Sequence, residues 1–303
     1  MTRREALRTL NAGMLLALGL WPGSLRAAGR APGGSFRFLV VNDTHCQSPE
    51  CGIYLEGLVR QMMKENAAFC LHAGDIADKG DAKHLGMVCD IFHHHRLPLF
   101  PVIGNHDWLT PSNRRPYLDL FPLRLNYYFR HQGWQFIGLD STAGQRYDQT
   151  RISEATLFAL DDYLPRLHKS KPTVLFTHFP LGAGTKYRPA NADALLDRFV
   201  SFNLQAVFSG HWHGYTERSR GDVVLTTNRC CALKRDNHDG TREKGYFVCT
   251  ARGGRVTRKF VEYPLTNNQV NPVHQKLADS QGATEKRNRE PRRPRENPFI
   301  CVL

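Results

Sequence analysis

Apolar residues recur along the chain at two spacings, and the spacings alternate. Phe36-Arg37-Phe38-Leu39-Val40-Val41 is a short β-rich run with no room for a helix, and it ends at Asn42-Asp43. From residue 53 to 66 the apolar positions Leu55, Leu58, Val59, Met62 and Met63 fall at helical spacing, and 67–71 reads as the next strand. This predicts a β-α-β unit with polar residues at both strand ends. A second helix over 82–93 leads into the apolar strand 97–103, and segments 127–129 and 134–139 read as antiparallel neighbours. A helix over 153–164 precedes a strand at 173–177, and a helix over 191–202 precedes one at 206–209. Segments 223–227, 246–250 and 256–260 are strand-like. Alternating elements followed by a β-rich finish predict an α/β protein of two sheets packed face to face, with helices outside.

Composition changes this picture only at the two ends. At 303 residues and 41% hydrophobic the chain can bury a full core. The middle suits one large domain, expected over 35–264. Residues 1–29 have the charged start, short apolar middle and small-residue end of an export signal. The start Thr2-Arg3-Arg4 resembles the twin-arginine type, with Ala6 where Phe is preferred. That route carries folded proteins, so a periplasmic or secreted location is expected. The apolar run has about half the length of a membrane helix, and no later stretch could span, so no stable membrane anchor is expected. Residues 265–303 are expected to be a flexible basic tail, since 280–298 is rich in Arg, Glu, Pro and Asn. The formal charge of +13 is scattered through loops and termini without an aromatic-interleaved basic motif, which argues against a nucleic-acid partner. Of the eight cysteines, Cys70 and Cys249 lie in apolar runs and read as core residues. Cys46 and Cys51 share one short loop that an oxidising compartment could bridge, whereas adjacent Cys230 and Cys231 could bridge only with strain.

The candidate chemistry sits where predicted strands end. Five segments carry it: Asp43-Thr44-His45, Gly74-Asp75, Gly104-Asn105-His106-Asp107, Thr177-His178 and Gly210-His211-Trp212-His213. Two divalent ions a few ångströms apart need a shared anionic ligand, and Asp75 on its glycine turn is the natural bridge. Asp43 and His45 flank one residue, so both can turn to one ion, with His213 completing its shell. Asn105, His178 and His211 then serve the other. Two carboxylates, four neutral imidazoles and an amide leave two such ions half neutralised, a centre that attracts phosphate. Any segment alone is weak evidence; all five, each at a strand end, are not.

Over residues 36–263 these segments closely resemble the calcineurin-like metallophosphoesterase superfamily. The resemblance implies a four-layer α-β-β-α sandwich of two mixed sheets flanked by helices, the metallo-dependent phosphatase-like fold. It implies a first metal held by Asp43, His45, Asp75 and His213, and a second by Asp75, Asn105, His178 and His211. The cofactors would be two divalent transition-metal ions: manganese, iron or zinc. His106 resembles the family's catalytic histidine and Asp107 its acidic orienter, acting while metal-bridged hydroxide attacks phosphorus in line. The purple acid phosphatase branch carries Tyr three residues after its bridging Asp; here Asp78 stands there, which disfavours a tyrosinate-bound iron. Compact spacing makes the chain most similar to the cyclic-nucleotide and glycerophosphodiester phosphodiesterase branch, with a phosphomonoesterase as runner-up. A catalytically silent phosphate-ligand binder on the same fold is the alternative outside enzymes. The partner expected is a small phosphate ester, besides the export machinery.

Several other residues look chemical and read as ordinary. His93-His94-His95 cannot share an ion from one helix end. His72 could orient a ligand or be a satisfied core histidine. Lys186, Tyr187 and Arg188, and likewise Arg114 and Arg115, lie in loops that could overhang phosphate but are most simply exposed. Trp212 and Tyr215 could stack on a base, with packing the safer reading.

Overall fold

The computed structural model describes residues 34–264. The export signal expected over 1–29 and the tail expected over 265–303 lie outside the described residues. Two mixed sheets form the centre. The first has the order β11-β10-β1-β2-β3, built from β1 (Phe36–Val41), β2 (Cys70–His72), β3 (Leu99–Pro101), β10 (Gly245–Arg252) and β11 (Arg255–Glu262). The second runs β4-β5-β6-β7-β9-β8, from β4 (Tyr127–His131), β5 (Trp134–Leu139), β6 (Thr173–Thr177), β7 (Leu204–Ser209), β8 (Thr216–Arg220) and β9 (Val223–Thr227). Strands β1, β2 and β3 are mutually parallel, as are β5, β6, β7 and β9. Strands β10, β11, β4 and β8 join antiparallel.

The alternation along β1 explains the layering. Phe36, Phe38 and Val40 face the other sheet, meeting Phe136, Val174, Phe176 and Phe208 in one buried cluster. Leu39 and Val41 point the other way, into a cluster with the helices α1 (Pro49–Met63) and α2 (Ala82–His94). The outer face of the second sheet is covered by α4 (Glu154–Tyr163) and α5 (Ala192–Leu196). A strand buried on both faces has no polar alternation, which is why these runs read as continuously apolar. The result is the expected four-layer sandwich.

The differences from expectation have local causes. Helix α1 begins at Pro49 rather than 53, because Ser48 caps it and Pro49 suits the first turn. A short α3 (Arg115–Leu120) sits in what reads as loop; at 6 residues it is too short to show periodicity. The helix expected over 191–202 is only Ala192–Leu196, tightening into a 3-10 turn over Asp197–Phe199. Strand β8 was not expected either: Thr-Glu-Arg-Ser-Arg is an outer-edge strand with no buried residue, so its apolar signal is missing. Cys46, Cys51, Cys230 and Cys231 are free and buried. The loop bridge allowed for Cys46 and Cys51 is not made, since Cys51 is taken into α1 and Cys46 turns its sulfur to Met87.

Candidate metal centre

All five polar segments leave the C-terminal edges of parallel strands β1, β2, β3, β6 and β7, so the topology brings them to one rim of the sandwich. The chain must turn sharply there. Asp43, His45, Asp75, His211 and His213 all adopt left-handed backbone conformations, with φ of 50°, 42°, 53°, 64° and 49°. Such a conformation costs a residue with a Cβ on the order of 1 kcal/mol, so its recurrence at one rim marks a constrained site. Gly104 is required by contact: a Cβ there would strike the Asp75 carboxylate and backbone nitrogen. Gly74, at φ 85°, has no room beside the His178 ring, 2.6 Å from where a Cβ would lie.

Two donor sets converge around Asp75. Asp43, His45, Asp75 and His213 each offer an atom within 4.8 Å of the others, and so do Asp75, His178 and His211. The Asp75 Oδ2 atom lies 3.5 Å from His45 Nε2 on one side and 3.3 Å from His178 Nε2 on the other, while Oδ1 accepts the His106 backbone N–H at 2.8 Å. Asn105 Oδ1 lies 3.0 Å from His178 Nε2, which adds the amide to the second set. Asp43 Oδ1 is 3.3 Å from His213 Nε2, and its Oδ2 is held by the Asn42 amide at 2.6 Å and the His211 N–H at 2.9 Å.

The outer nitrogens of His178, His211 and His213 each meet a backbone carbonyl and that of His45 faces a carboxylate, which fixes where the inner nitrogens point. His178 Nδ1 donates to the Ala73 carbonyl at 2.9 Å, and His211 Nε2 donates to the Tyr147 carbonyl at 2.7 Å. Their inner nitrogens then face each other at 3.1 Å. His213 Nδ1 lies 3.3 Å from the Asp236 carbonyl and His45 Nδ1 lies 3.3 Å from Asp78 Oδ1, leaving their Nε2 atoms 3.1 Å apart. Two lone pairs at that separation repel unless a proton or a cation lies between them. The donor set therefore fits a pair of metal ions: carboxylate and imidazole donors, converging, buried and with anchored outer shells.

Ionisation follows from the same arrangement. Burial works against charge on His178 and His213, but the carboxylates of Asp75 and Asp43 outweigh it and lift them to about 9 and about 11. Burial lowers His211 to about 3, helped by the His178 charge, and lowers His45 as well. Despite burial, Asp43 and Asp75 are held below the carboxylate range, chiefly by His213 and His178 respectively. Each half of the centre thus holds one imidazole that keeps a proton and one that stays neutral.

His106 sits beside the first set, its ring centroid 4.7 Å from that of His45. The orienting role expected for Asp107 falls instead to another residue. The two Asp107 oxygens accept the Ala77 N–H at 2.9 Å and the Gly104 N–H at 2.8 Å, so this carboxylate ties the β3 turn to the Asp75 loop. It is the carbonyl of Asp78 that takes His106 Nδ1, at 2.9 Å. Asp78 also faces His45 with its carboxylate and pairs with Arg235, whose Nε lies 3.0 Å away. Sequence reasoning noted Asp78 only as a missing tyrosine; its spacing of three from Asp75 was the available signal.

The other candidates divide between ordinary structural roles and the site itself. His72 is fully buried and bonded to Thr44 Oγ1 at 3.0 Å, a core histidine lowered to about 3 by burial. His95 meets Glu56 at 2.6 Å at the end of α2. Arg114 pairs with Asp140 at 2.6 Å, and Arg188 with Asp193 at 2.7 Å. Tyr215 bonds Glu217 in and beside edge strand β8. Tyr187 and Trp212, in contrast, do stand at the site, Tyr187 5.0 Å from the His211 ring.

Comparison with known proteins agrees with this architecture. No curated protein matches the chain. Among solved structures, a dimetal phosphatase from Danio rerio superposes with a TM-score of 0.60 at 17% identity, covering 74% of this chain and 95% of that one. The purple acid phosphatase PPD1 from yellow lupin seeds gives 0.56 at 12% identity, covering 76% and 52%. GAP50, the anchor in the inner membrane complex of Plasmodium, gives 0.55 at 16%, covering 75% and 84%. At these identities the likeness speaks for the fold. The model of the calcineurin-like phosphoesterase family matches residues 36–215, more than half of the chain and including every segment of the centre, so this protein belongs to the calcineurin-like phosphoesterase family.

Proposed function

We propose that this chain is an exported, dinuclear metal-dependent hydrolase of small phosphate esters, acting on phosphodiesters in preference to monoesters. The observation that carries the reading is the pair of donor sets sharing Asp75 Oδ2, with His106 alongside. Asp43, His45, Asp75 and His213 would hold one ion; Asp75, Asn105, His178 and His211 would hold the other. When bound, manganese, iron or zinc would supply Lewis acidity to the phosphoryl oxygens and acidify a water.

The chain's own residues do the rest. Asn105 contributes a neutral oxygen where a third carboxylate would cancel charge, so the site stays attractive to a phosphate anion. His106, oriented through Nδ1 by the Asp78 carbonyl, has Nε2 as the nitrogen available to a substrate oxygen. As imidazolium it donates that proton to the departing alcohol oxygen. Asp107 keeps His106 in place indirectly, by closing the turn that carries it. Retention of the complete set, His106 included, favours an enzyme over a silent binder.

The test is hydrolysis of bis(p-nitrophenyl) phosphate and p-nitrophenyl phosphate by manganese-loaded and zinc-loaded protein. Both are expected to react, the diester faster. His106→Ala should lose about 10²- to 10⁴-fold in kcat while keeping both ions. Two bound ions with neither ester hydrolysed would turn the reading toward a silent binder. For export, Arg3→Lys with Arg4→Lys should leave the protein in the cytoplasmic fraction; release into the periplasm by the double variant would remove the twin-arginine reading.

A further inference from the structure

We propose that residues 299–303 of this chain dock across helix α2, joined to it by a disulfide between Cys89 and Cys301 and seated with apolar side chains in the groove between α2 and α3. Cys89, on the inner flank of α2, is disulfide-bonded. The chain has eight cysteines, of which Cys46, Cys51, Cys70, Cys230, Cys231 and Cys249 are free. Cys301 is the one left to partner it.

The surface beside Cys89 suits a segment of this composition. Between α2 and α3 lies a groove of about 900 Å³, whose apolar wall is Met87, Ile91, Leu109, Pro116 and Leu120. Leu109 is 40% exposed there. Residues 299–303 read Phe-Ile-Cys-Val-Leu, apolar throughout, after a stretch over 280–298 with almost nothing apolar. Burying several such side chains offsets the entropy of ordering a short segment that a disulfide already holds.

Gly86 marks the crossing. It stands inside α2, one turn before Cys89, and lines the groove. Glycine weakens a helix interior and is most useful where another backbone comes close. A Cβ at Gly86 would meet nothing within 4 Å among the described residues. The room it leaves is for a second backbone, running from Cys89 at one flank of α2 to the groove at the other.

The connection is long enough. Tyr263, near the end of the described residues, packs on Tyr54 of α1 with ring centroids 5.1 Å apart, and α1 and α2 share one core cluster. Packed helices lie about 8–10 Å apart. A polypeptide of about 37 residues, the length from Pro264 to Cys301, has a coil span of about 30–36 Å, several times what is needed. The bond forms by exchange. With glutathione disulfide as oxidant, the Cys301 thiolate displaces one glutathione thiol, and the Cys89 thiolate displaces the second from the mixed disulfide. Two cysteine thiols become one disulfide, while two glutathione thiols carry away the electron pair and both protons. This agrees with an exported protein, but the docking does not depend on that reading.

The experiment maps the cysteines of the whole chain, purified without reductant. A digest should yield the Cys89 peptide joined to the Cys301 peptide, from protein that runs as a monomer in a non-reducing gel. Brief trypsin treatment, cutting among the arginines of 280–298, should leave the fragment carrying Cys301 attached until reductant is added. Reduction should lower Tm by about 5–10 °C in the wild type and leave that of Cys301→Ala unmoved. Seating in the groove is read from the rate at which reduced protein recloses in glutathione disulfide. Ile300→Asp with Val302→Asp should slow it about tenfold, and so should Gly86→Leu, which favours the helix but fills the crossing. A free Cys89, another partner for it, or a disulfide-linked dimer overturns the inference. A Cys89–Cys301 bond that recloses at the wild-type rate in both variants overturns the docking.

Discussion

The two halves of the centre are built from similar donors but differ in what stands behind them. Behind the first, His45 is backed by the Asp78 carboxylate, itself paired with Arg235, and His213 by the Asp236 carbonyl, near the buried pair of Cys230 and Lys244, whose Nζ donates to Sγ at 2.9 Å. Behind the second, His178 and His211 are backed by the neutral carbonyls of Ala73 and Tyr147. The first half also has Asp43 to itself, whereas the second has only its share of Asp75 and the Asn105 amide. More negative charge at one ion means tighter holding there; less at the other means a stronger Lewis acid and an easier exchange. With two ions bound, the first position would hold its ion the more tightly and the second would carry the stronger Lewis acid.

The largest break in this contrast is removal of what the halves share. Asp75→Asn should abolish the second ion, weaken the first and lower activity by about 10³-fold or more, read by metal analysis and turnover together. Next comes the asymmetric change: Asp78→Asn should weaken the first ion about 10- to 100-fold and the second far less, seen by calorimetry as two steps drawing together. Equal weakening of both steps would mean that the backing charge does not distinguish them. Asn105→Asp works from the other side. It should tighten the second ion and lower kcat by about tenfold, because the added charge opposes the phosphate.

The smallest effect is in proton release. In the ion-free chain each half keeps one protonated imidazole, His213 lifted to about 11 and His178 to about 9. An ion must displace that proton, so affinity for both ions should rise with pH up to about 9, and about one proton should leave per ion. Titration calorimetry in buffers of different ionisation enthalpy measures this directly. An affinity that does not change between pH 6 and 8 would contradict the assignment of those two rings as donors.

Much of this is legible in the amino-acid sequence. Asp43, His45, Asp75, Asn105, His178, His211 and His213 announce themselves because they interrupt apolar strands, and a parallel sheet aligns such interruptions on one edge. Their backing groups were not readable. The carbonyl that orients His211 belongs to Tyr147 and that behind His213 to Asp236; a carbonyl carries no residue identity and leaves no mark in the sequence. Asp107 misled for a related reason: adjacency to His106 suggested a partner, while its geometry makes it a clasp for two backbone amides. Strand β8 escaped because an edge with no buried face has no alternation to detect.

Strand β1, which delivers Asp43, lies between β2 and β10, and β10 is made of residues far along the polypeptide: Phe36 faces Ala251 and Val40 faces Phe247. The Asn42 carbonyl likewise waits for the Cys231 amide. A chain leaving the ribosome therefore cannot complete the rim until almost all of the domain has emerged. A version cut after Tyr215 would expose one whole flank of β1 to any sticky neighbour, and so the residues that follow are the latch that closes the newborn domain.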